Sequence, residues 1–176
     1  MAGSGVVISD SGQPYSALDS YNVAVCRPPA FTGGTANTRG DDAGTSDPYT
    51  LFTVTGDVFV RIWGICTVDL VSAGAGTVSV GVAGNTAGLI ALETATEIDA
   101  TGIYLSATQV IGTVSVATIP GPFVIANGLD IAEYLGTADV TAGNIYYICL
   151  WRPVSLGSDA AGVSIEGSVS PAGTQI

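Results

Sequence analysis

The sequence contains no histidine and no lysine, and its only basic residues are Arg27, Arg39, Arg61 and Arg152. Fifteen acidic residues give a net charge of −11, and charged residues make up 11% of the chain, against about 25% in a typical soluble domain. Nucleic-acid binding needs clustered Lys and Arg to neutralise phosphates, and an anionic membrane repels such a chain. We therefore expect neither a nucleic-acid partner nor a membrane partner.

The absence of His and Lys also removes the usual bases that activate a serine or cysteine nucleophile. Paired carboxylates, as in glycosidases, are the remaining option, and Glu93, Glu97 and Asp99 lie close together in sequence. Glu97 and Asp99 would share one face of a strand, where solvated carboxylates are the ordinary interpretation. We predict that the protein is not an enzyme and has no catalytic residue and no cofactor.

Metal and disulfide chemistry have little support. The three cysteines, Cys26, Cys66 and Cys149, form no CxxC pair, and an odd number without His argues against both a disulfide framework and zinc. The segment 41–47 (DDAGTSD) offers carboxylates that could bind Ca²⁺, but it lacks the spacing and the glycine of an EF-hand loop. We predict no metal site. Residues 39–41 spell RGD, which in a cell-adhesion role would need an exposed hairpin tip.

Short strands separated by turn signals every 8–12 residues or so predict an all-β protein, either an antiparallel β-sandwich, jelly-roll-like, or a barrel. We assign residues 50–176 to this domain and residues 1–49 to an extended N-terminal arm or a set of edge strands. The first ten residues, MAGSGVVISD, have neither a basic nor an apolar region of the kind found in secretory signals.

The clearest strand pattern lies at residues 57–69. Period-two alternation places Val58, Val60, Ile62, Cys66 and Val68 on a core face together with Gly64. A glycine in mid-strand suggests a bulge or a bend. The opposite face carries Phe59, Arg61 and Trp63, and because aromatic and Arg residues are favoured at interfaces, we predict that these three residues form a contact face.

Residues 81–88 (GVAGNTAG) follow an apolar strand pattern, as a phosphate-binding loop would. A P-loop needs a lysine and a following helix, whereas this chain has no lysine and residues 89–99 alternate like a strand. The run is therefore predicted to be a β-hairpin turn. Residues 136–145 (GTADVTAGNI) repeat the pattern G-x-A-x-x-T-A-G-x-I, which suggests a second, duplicated hairpin.

Residues 55–154 resemble small all-β structural proteins of tailed bacteriophages. The motifs that carry the resemblance are GDVFVRIWG, GNTAGLIA, TATEIDA and TAGNI followed by CLWRP, in this order. The resemblance implies a head decoration or cement protein on the outer capsid surface, made in the cytoplasm of the host bacterium. Its partner would be the major capsid protein, and it would be a homo-oligomer, with a trimer favoured. A sparsely charged surface fits burial against neighbours.

Two alternatives remain open at this point. A minor tail or fibre protein has the same β-rich composition, and a carbohydrate-binding β-sandwich displayed for host attachment would use its aromatic residues to stack on sugars. The sugar-binding alternative predicts exposed coplanar aromatic rings, whereas the cement hypothesis predicts a capsid-bound protein with no affinity for glycans.

Overall fold

The computed structural model describes residues 7–8, 14–15, 21–44, 47–100, 102–104, 121–154 and 168–171. These residues form β-strands and a single 3₁₀ turn, Ala95–Glu97, with no α-helix among them, and hence no helix that could cross a membrane. The strands are β1 (Val7–Ile8), β2 (Pro14–Tyr15), β3 (Asn22–Cys26), β4 (Tyr49–Thr55), β5 (Val58–Val71), β6 (Thr77–Val82), β7 (Asn85–Thr94), β8 (Ile103–Tyr104), β9 (Phe123–Ile125), β10 (Ile131–Gly136), β11 (Ala142–Pro153) and β12 (Ser168–Pro171).

The strands form two antiparallel sheets that pack face to face. The first sheet has the order β12-β4-β10-β6-β7, and the second has the order β3-β11-β5-β8 with β9 also paired to β5. Apart from the β6–β7 hairpin and the successive short strands β8 and β9, each strand from β3 onward lies in the other sheet from its predecessor. This alternation is that of a jelly roll. Within the described residues the sheets stay separate, so the predicted sandwich is confirmed and the barrel alternative is wrong.

The core lies between the two sheets, where alternating residues point inward because successive side chains of a strand face opposite sides. Val58, Val60 and Ile62 of the second sheet and Val78 and Val80 of the first are fully or almost fully buried. The hydroxyl of the buried Tyr104, on β8, donates a hydrogen bond of 2.6 Å to the carbonyl of Val78 on β6. This bond ties the sheets together at one side of the core.

Strand β5 confirms the predicted core face as far as Cys66 but not at Val68, which is 55% exposed. The pairing of β5 with β11 shifts register between Asn144 and Ile145, and a shift of one residue moves every following side chain to the other face. A second shift, between Ala142 and Asn144, returns Leu70 to the inward side, where it is buried. Gly64 itself lies in regular register with Tyr147, so the irregularity predicted at this glycine lies instead beyond Cys66.

The two glycine-rich runs have different structures. Val82 pairs with Asn85 across a two-residue turn, with Gly84 at a φ of 85°, so the predicted hairpin at residues 81–88 is confirmed. Residues 137–141 instead connect β10 of the first sheet to β11 of the second. The predicted second hairpin is therefore wrong, because the connection crosses the sandwich and the buried Val140 exchanges backbone hydrogen bonds with Gly33 and Gly40.

Part of the N-terminal segment packs on the sandwich. Strand β3 is the edge strand of the second sheet, where it pairs with β11 over five residues. Phe31 is 1% exposed, and its backbone N–H donates to the carbonyl of Gly143. The predicted division of the chain at residue 49, and an arm that includes the first twenty residues, stay predictions.

Candidate functional site

The three predicted contact residues lie side by side on the outward surface of the second sheet. Phe59, Arg61 and Trp63 occupy alternate positions of β5, and each is half-buried. Their cross-strand partners on β11 are Arg152, Leu150 and Ile148 respectively. Paired residues of an antiparallel sheet project to the same side, so the six side chains form one continuous surface, called here the outer face.

The outer face continues across all strands of the second sheet. Val23 and Val25 of β3 pair with Leu150 and Ile148, Ile103 of β8 pairs with Ile65, and Val124 of β9 pairs with Phe59. Val23 is 64% exposed and Val124 is 61% exposed. Contiguous exposed apolar surface of this kind marks interaction sites in soluble proteins.

Most of the chain's positive charge lies on the outer face. The guanidinium carbon of Arg152 lies 4.8 Å from the ring centroid of Phe59 and 5.5 Å from that of Tyr21. Arg61 lies 5.8 Å from the same Tyr21 ring, and Arg27, which directly follows β3, lies 5.6 Å from the Tyr146 ring. Three of the four arginines therefore stack on aromatic rings of this one surface.

One donor atom of the Arg61 side chain forms no hydrogen bond within the described part of the chain. Its Nε atom is buried and has no hydrogen-bond partner among the residues that the structure describes. Strand positions 59–65, 146–152 and 23–25 that project outward contain no acidic residue. Asp57, just before β5, accepts a hydrogen bond from the Asn127 backbone N–H instead. The outer face thus presents positive charge without carboxylates of its own strands beside it.

The fourth arginine, Arg39, lies inside the sandwich. It forms a bidentate pair with Glu133, with Nε–Oε1 at 2.9 Å and Nη2–Oε2 at 2.7 Å. Its Nη1 atom donates to the carbonyl of Pro29 and to Oδ1 of Asn144. The Tyr147 hydroxyl donates to Oε2 of Glu133 at 2.6 Å. This network joins β10, β11 and the segment after β3.

Burial and charge set the ionisation of this network. Burial acts to lower the pKa of Arg39, but the Glu133 carboxylate outweighs it, so the pKa is raised and the guanidinium stays charged. Burial raises the pKa of Tyr147 well above its ordinary value, so the hydroxyl stays protonated and remains a donor. The pair is almost inaccessible to solvent. The network is closed on itself and offers no group to a ligand.

The arginine of the RGD tripeptide is part of this network and is not displayed. Arg39 is 3% exposed, and its guanidinium is 3.8 Å from the ring centroid of Phe31. A receptor that needs an exposed arginine cannot reach it in this conformation. Sequence reasoning did not identify Glu133, Asn144 or Tyr147 as partners of Arg39. The available signal was Glu133 itself, an acid at an inward position of a strand.

The acidic residues considered for Ca²⁺ separate in the structure. Carboxylate oxygens of Asp41, Asp42 and Asp139 lie within 4.8 Å of one another, whereas Asp47 accepts the backbone N–H of Leu135 at 3.0 Å. A hydrogen bond with Asp139, followed by burial and the nearby negative charges, raises the pKa of Asp42. Backbone N–H groups of Asn37, Ala43 and Asp42 already bond to these carboxylates. The cluster acts as a loop cap in this fold.

The other candidates for chemistry do not form a site. Glu97 belongs to the 3₁₀ turn and Asp99 follows it, so the prediction that they share one face of a strand is wrong. Burial raises the pKa of the Cys26 and Cys66 thiols to about 11 and that of Cys149 to about 12. The thiolate is the reactive form of cysteine. These thiols therefore act as buried apolar groups near neutral pH.

Comparison of the chain with protein-family models, with curated proteins and with solved structures finds no match. The resemblance to phage structural proteins therefore has no support beyond the motifs themselves.

Proposed function

We propose that this chain is a structural protein of a bacteriophage virion, a non-enzymatic decoration or cement protein that binds the major capsid protein lattice through its outer face. The observation that carries the proposal is the outer face itself. Its apolar strand residues are exposed although the chain has a jelly-roll core of its own, and three of its four arginines stack there. Aromatic and Arg residues are enriched at interfaces.

The jelly-roll topology is compatible with this role without identifying it. Jelly rolls occur in viral capsid domains and in lectins, and a fold alone does not define a function. The resemblance of residues 55–154 to phage proteins favours the capsid. On this proposal the protein is made in the host bacterium, assembles as a homo-oligomer, in particular a trimer, and ends on the outer capsid surface.

The proposed mechanism is burial of surface at the junctions between capsid subunits. A shell under internal DNA pressure fails where subunits separate. A protein that bridges two subunits removes apolar surface from water, which contributes about 2.5 kcal/mol for each ~100 Å² before the entropic cost of association. The many contacts within a lattice would add these contributions over the whole shell.

Co-sedimentation with capsid shells tests this proposal. Shells assembled from the major capsid protein encoded with this chain are mixed with the purified protein. We expect saturable binding and a higher temperature of shell disruption. Trp63→Ala should weaken binding about tenfold or more, because truncated aromatic anchors at the centre of an interface have large effects. Leu92→Ala removes an apolar side chain, 53% exposed, on the first sheet and should bind normally.

A protein that does not pellet with the shells, or a Trp63→Ala variant that binds like the wild type, would contradict the proposed role or the proposed face respectively. The sugar-binding alternative is favoured by the outward aromatic side chains Phe59, Trp63 and Tyr146. It predicts a signal on a glycan array that Trp63→Ala abolishes, whereas the capsid proposal predicts none.

A further inference from the structure

The turn between β9 and β10 contains the only Asn-Gly step of the sequence, at Asn127 and Gly128. The backbone N–H of Leu129 donates to the carbonyl of Ala126 at 3.2 Å, which closes a four-residue turn with the Asn-Gly step at its centre. Gly128 has a φ of 80°, and both central residues are exposed. Exposed turn tips are places where a folded chain opens locally at low cost.

Asn127 ties this turn to the turn between β4 and β5. The backbone N–H of Gly56 donates to Oδ1 of Asn127 at 2.8 Å, and the backbone N–H of Asn127 donates to Oδ1 of Asp57 at 2.8 Å. These two hydrogen bonds are called here the turn clasp. In both turns the chain passes between the two sheets, so the clasp joins two crossings at one end of the sandwich.

We propose that Asn127 is a site of spontaneous deamidation and isomerisation, and that its conversion releases the turn clasp. Asparagine is a thermolabile residue, and a following glycine leaves its backbone nitrogen unshielded and its backbone free to rotate. No atom of the described residues lies within 4 Å of the position that a Cβ atom would take at Gly128, so the turn has room for the reaction. The inference does not depend on the proposed function.

The reaction needs only water as a co-reactant. The backbone nitrogen of Gly128 loses its proton to solvent and attacks Cγ of Asn127. The bond from Cγ to the side-chain nitrogen breaks, and that nitrogen leaves as ammonia after it takes up a proton. The product is a five-membered succinimide. Water then opens the ring at either carbonyl and gives an aspartyl or an isoaspartyl linkage at position 127, with no change in oxidation state.

The products fit the turn clasp poorly. An isoaspartyl linkage carries the backbone through the former side chain and adds a methylene group to it, which displaces the N–H and the oxygen that form the clasp. Both products also add a carboxylate to a residue whose backbone nitrogen lies 2.8 Å from Oδ1 of Asp57, and like charges at this separation repel. Conversion should therefore lower the temperature of unfolding.

The other asparagines are internal controls for the site. A β-branched residue follows each of them and crowds the attacking nitrogen with a stiff side chain. These four asparagines are Asn22, Asn37, Asn85 and Asn144, followed by Val23, Thr38, Thr86 and Ile145 respectively.

Peptide mass spectrometry of the folded full-length chain tests the site. The protein is incubated at mildly alkaline pH, where the attacking nitrogen loses its proton more readily, and an isoaspartyl methyltransferase identifies the isomer. We expect conversion at Asn127 well ahead of the other four asparagines, and its loss in Gly128→Ala. Gly84→Ala is the matched control, since Gly84 has a φ of 85° and equally open surroundings among the described residues. It should convert at Asn127 like the wild type.

A second pair of variants tests the turn clasp. Asp57→Ala removes the acceptor of the Asn127 N–H, so the turn should open more readily and conversion should be about threefold to tenfold faster, the factor that the net contribution of one hydrogen bond gives. Asp69→Ala removes a carboxylate that accepts the backbone N–H of Ala100 instead and should leave the rate unchanged. The converted wild-type protein should unfold about 2–4 °C below the unconverted protein.

Two sets of results would overturn the inference. Conversion at Asn127 that is no faster than at the other asparagines, or that persists in Gly128→Ala, rules out the modification site. Converted protein with an unchanged unfolding temperature, or an Asp57→Ala variant that converts no faster than the wild type, rules out the release of the turn clasp.

Discussion

One arginine, Arg39, is buried inside this sandwich. Arg39 follows a Thr- and Gly-rich loop without hydrophobic periodicity, so nothing in its local sequence marks it as buried. Glu133 is different, because alternation through residues 131–135 (IAEYL) places it on the same side as Ile131. Its inward position could be predicted from the sequence, but its partner could not, since 94 residues separate the two.

Glu133→Gln should strongly destabilise the protein. The substitution leaves the buried guanidinium of Arg39 without a counter-charge, and breaking a buried ion pair costs about 3–5 kcal/mol. Urea unfolding followed by tryptophan fluorescence measures the loss. Glu97→Gln makes the same change at an exposed position and should shift the free energy of unfolding by less than about 0.5 kcal/mol. Equal unfolding midpoints for the two variants would rule out the structural role of the pair.

The raised pKa of Cys149 predicts that the protein loses stability at alkaline pH. Its pKa is about 12 in the folded protein against 9.0 without burial. Between these values the unfolded chain loses a thiol proton that the folded chain keeps, so stability is intact below pH 9 and falls as pH rises. One such group contributes about 1.4 kcal/mol per pH unit.

The measurement compares Cys149→Ala with the wild type in urea under reducing conditions, from pH 8 to pH 11 or so. The wild type should lose stability more steeply above pH 9, so the gap between the two proteins should narrow by about 1.4 kcal/mol for each pH unit. A gap that does not change with pH would show that the thiol does not carry this linkage.

At the scale of single strands, the alternation of apolar residues predicts which side chains face the core wherever the strand pairing is regular. The pattern from Val58 to Cys66 gave both faces of β5 correctly, including the outward position of Phe59, Arg61 and Trp63. It failed at Val68 because the register shift depends on β11. The hairpin predicted at residues 136–145 is wrong for a related reason. Similar turn sequences join two strands of the same sheet at residues 81–88 but strands of different sheets at residues 136–145.

Gly64 lies in a regular part of β5, where the absence of a side chain leaves room for the neighbouring core residues. A Cβ atom at this position would lie 2.7 Å from Cγ2 of Ile145 and 3.2 Å from Cε1 of Tyr147. Both neighbours are fully buried and Ile145 is stiff because it is β-branched. Gly64→Ala should therefore destabilise the protein by about 1–3 kcal/mol, as overpacked cores do.

Gly34→Ala provides the control for that substitution. The nearest atom to a Cβ at Gly34 is Cγ2 of Thr141 at 4.0 Å, so the change should be neutral or stabilise by up to about 1 kcal/mol. Thermal unfolding of both variants measures the difference. A Gly64→Ala variant as stable as Gly34→Ala would mean that the core adjusts without cost.

At the scale of the whole molecule, charge is distributed unevenly. The chain carries −11 overall, while Arg27, Arg61 and Arg152 concentrate on one sheet surface. Composition predicted the scarcity of charge and hence a surface suited to burial. It could not predict that the remaining arginines converge, because Arg61 and Arg152 belong to β5 and β11 and Arg27 follows β3, and only the jelly-roll topology makes these three strands adjacent. The fold class followed from the strand pattern, whereas the identity of the partner depends on the phage resemblance.

The most direct test of the central claim is an image reconstruction of capsids assembled with and without this protein. We predict added density on the outside of the shell, with the second sheet of the sandwich turned toward the major capsid protein and Phe59, Arg61 and Trp63 at the contact. Absence of added density on the shell, or a bound protein whose outer face points to solvent, would contradict the account.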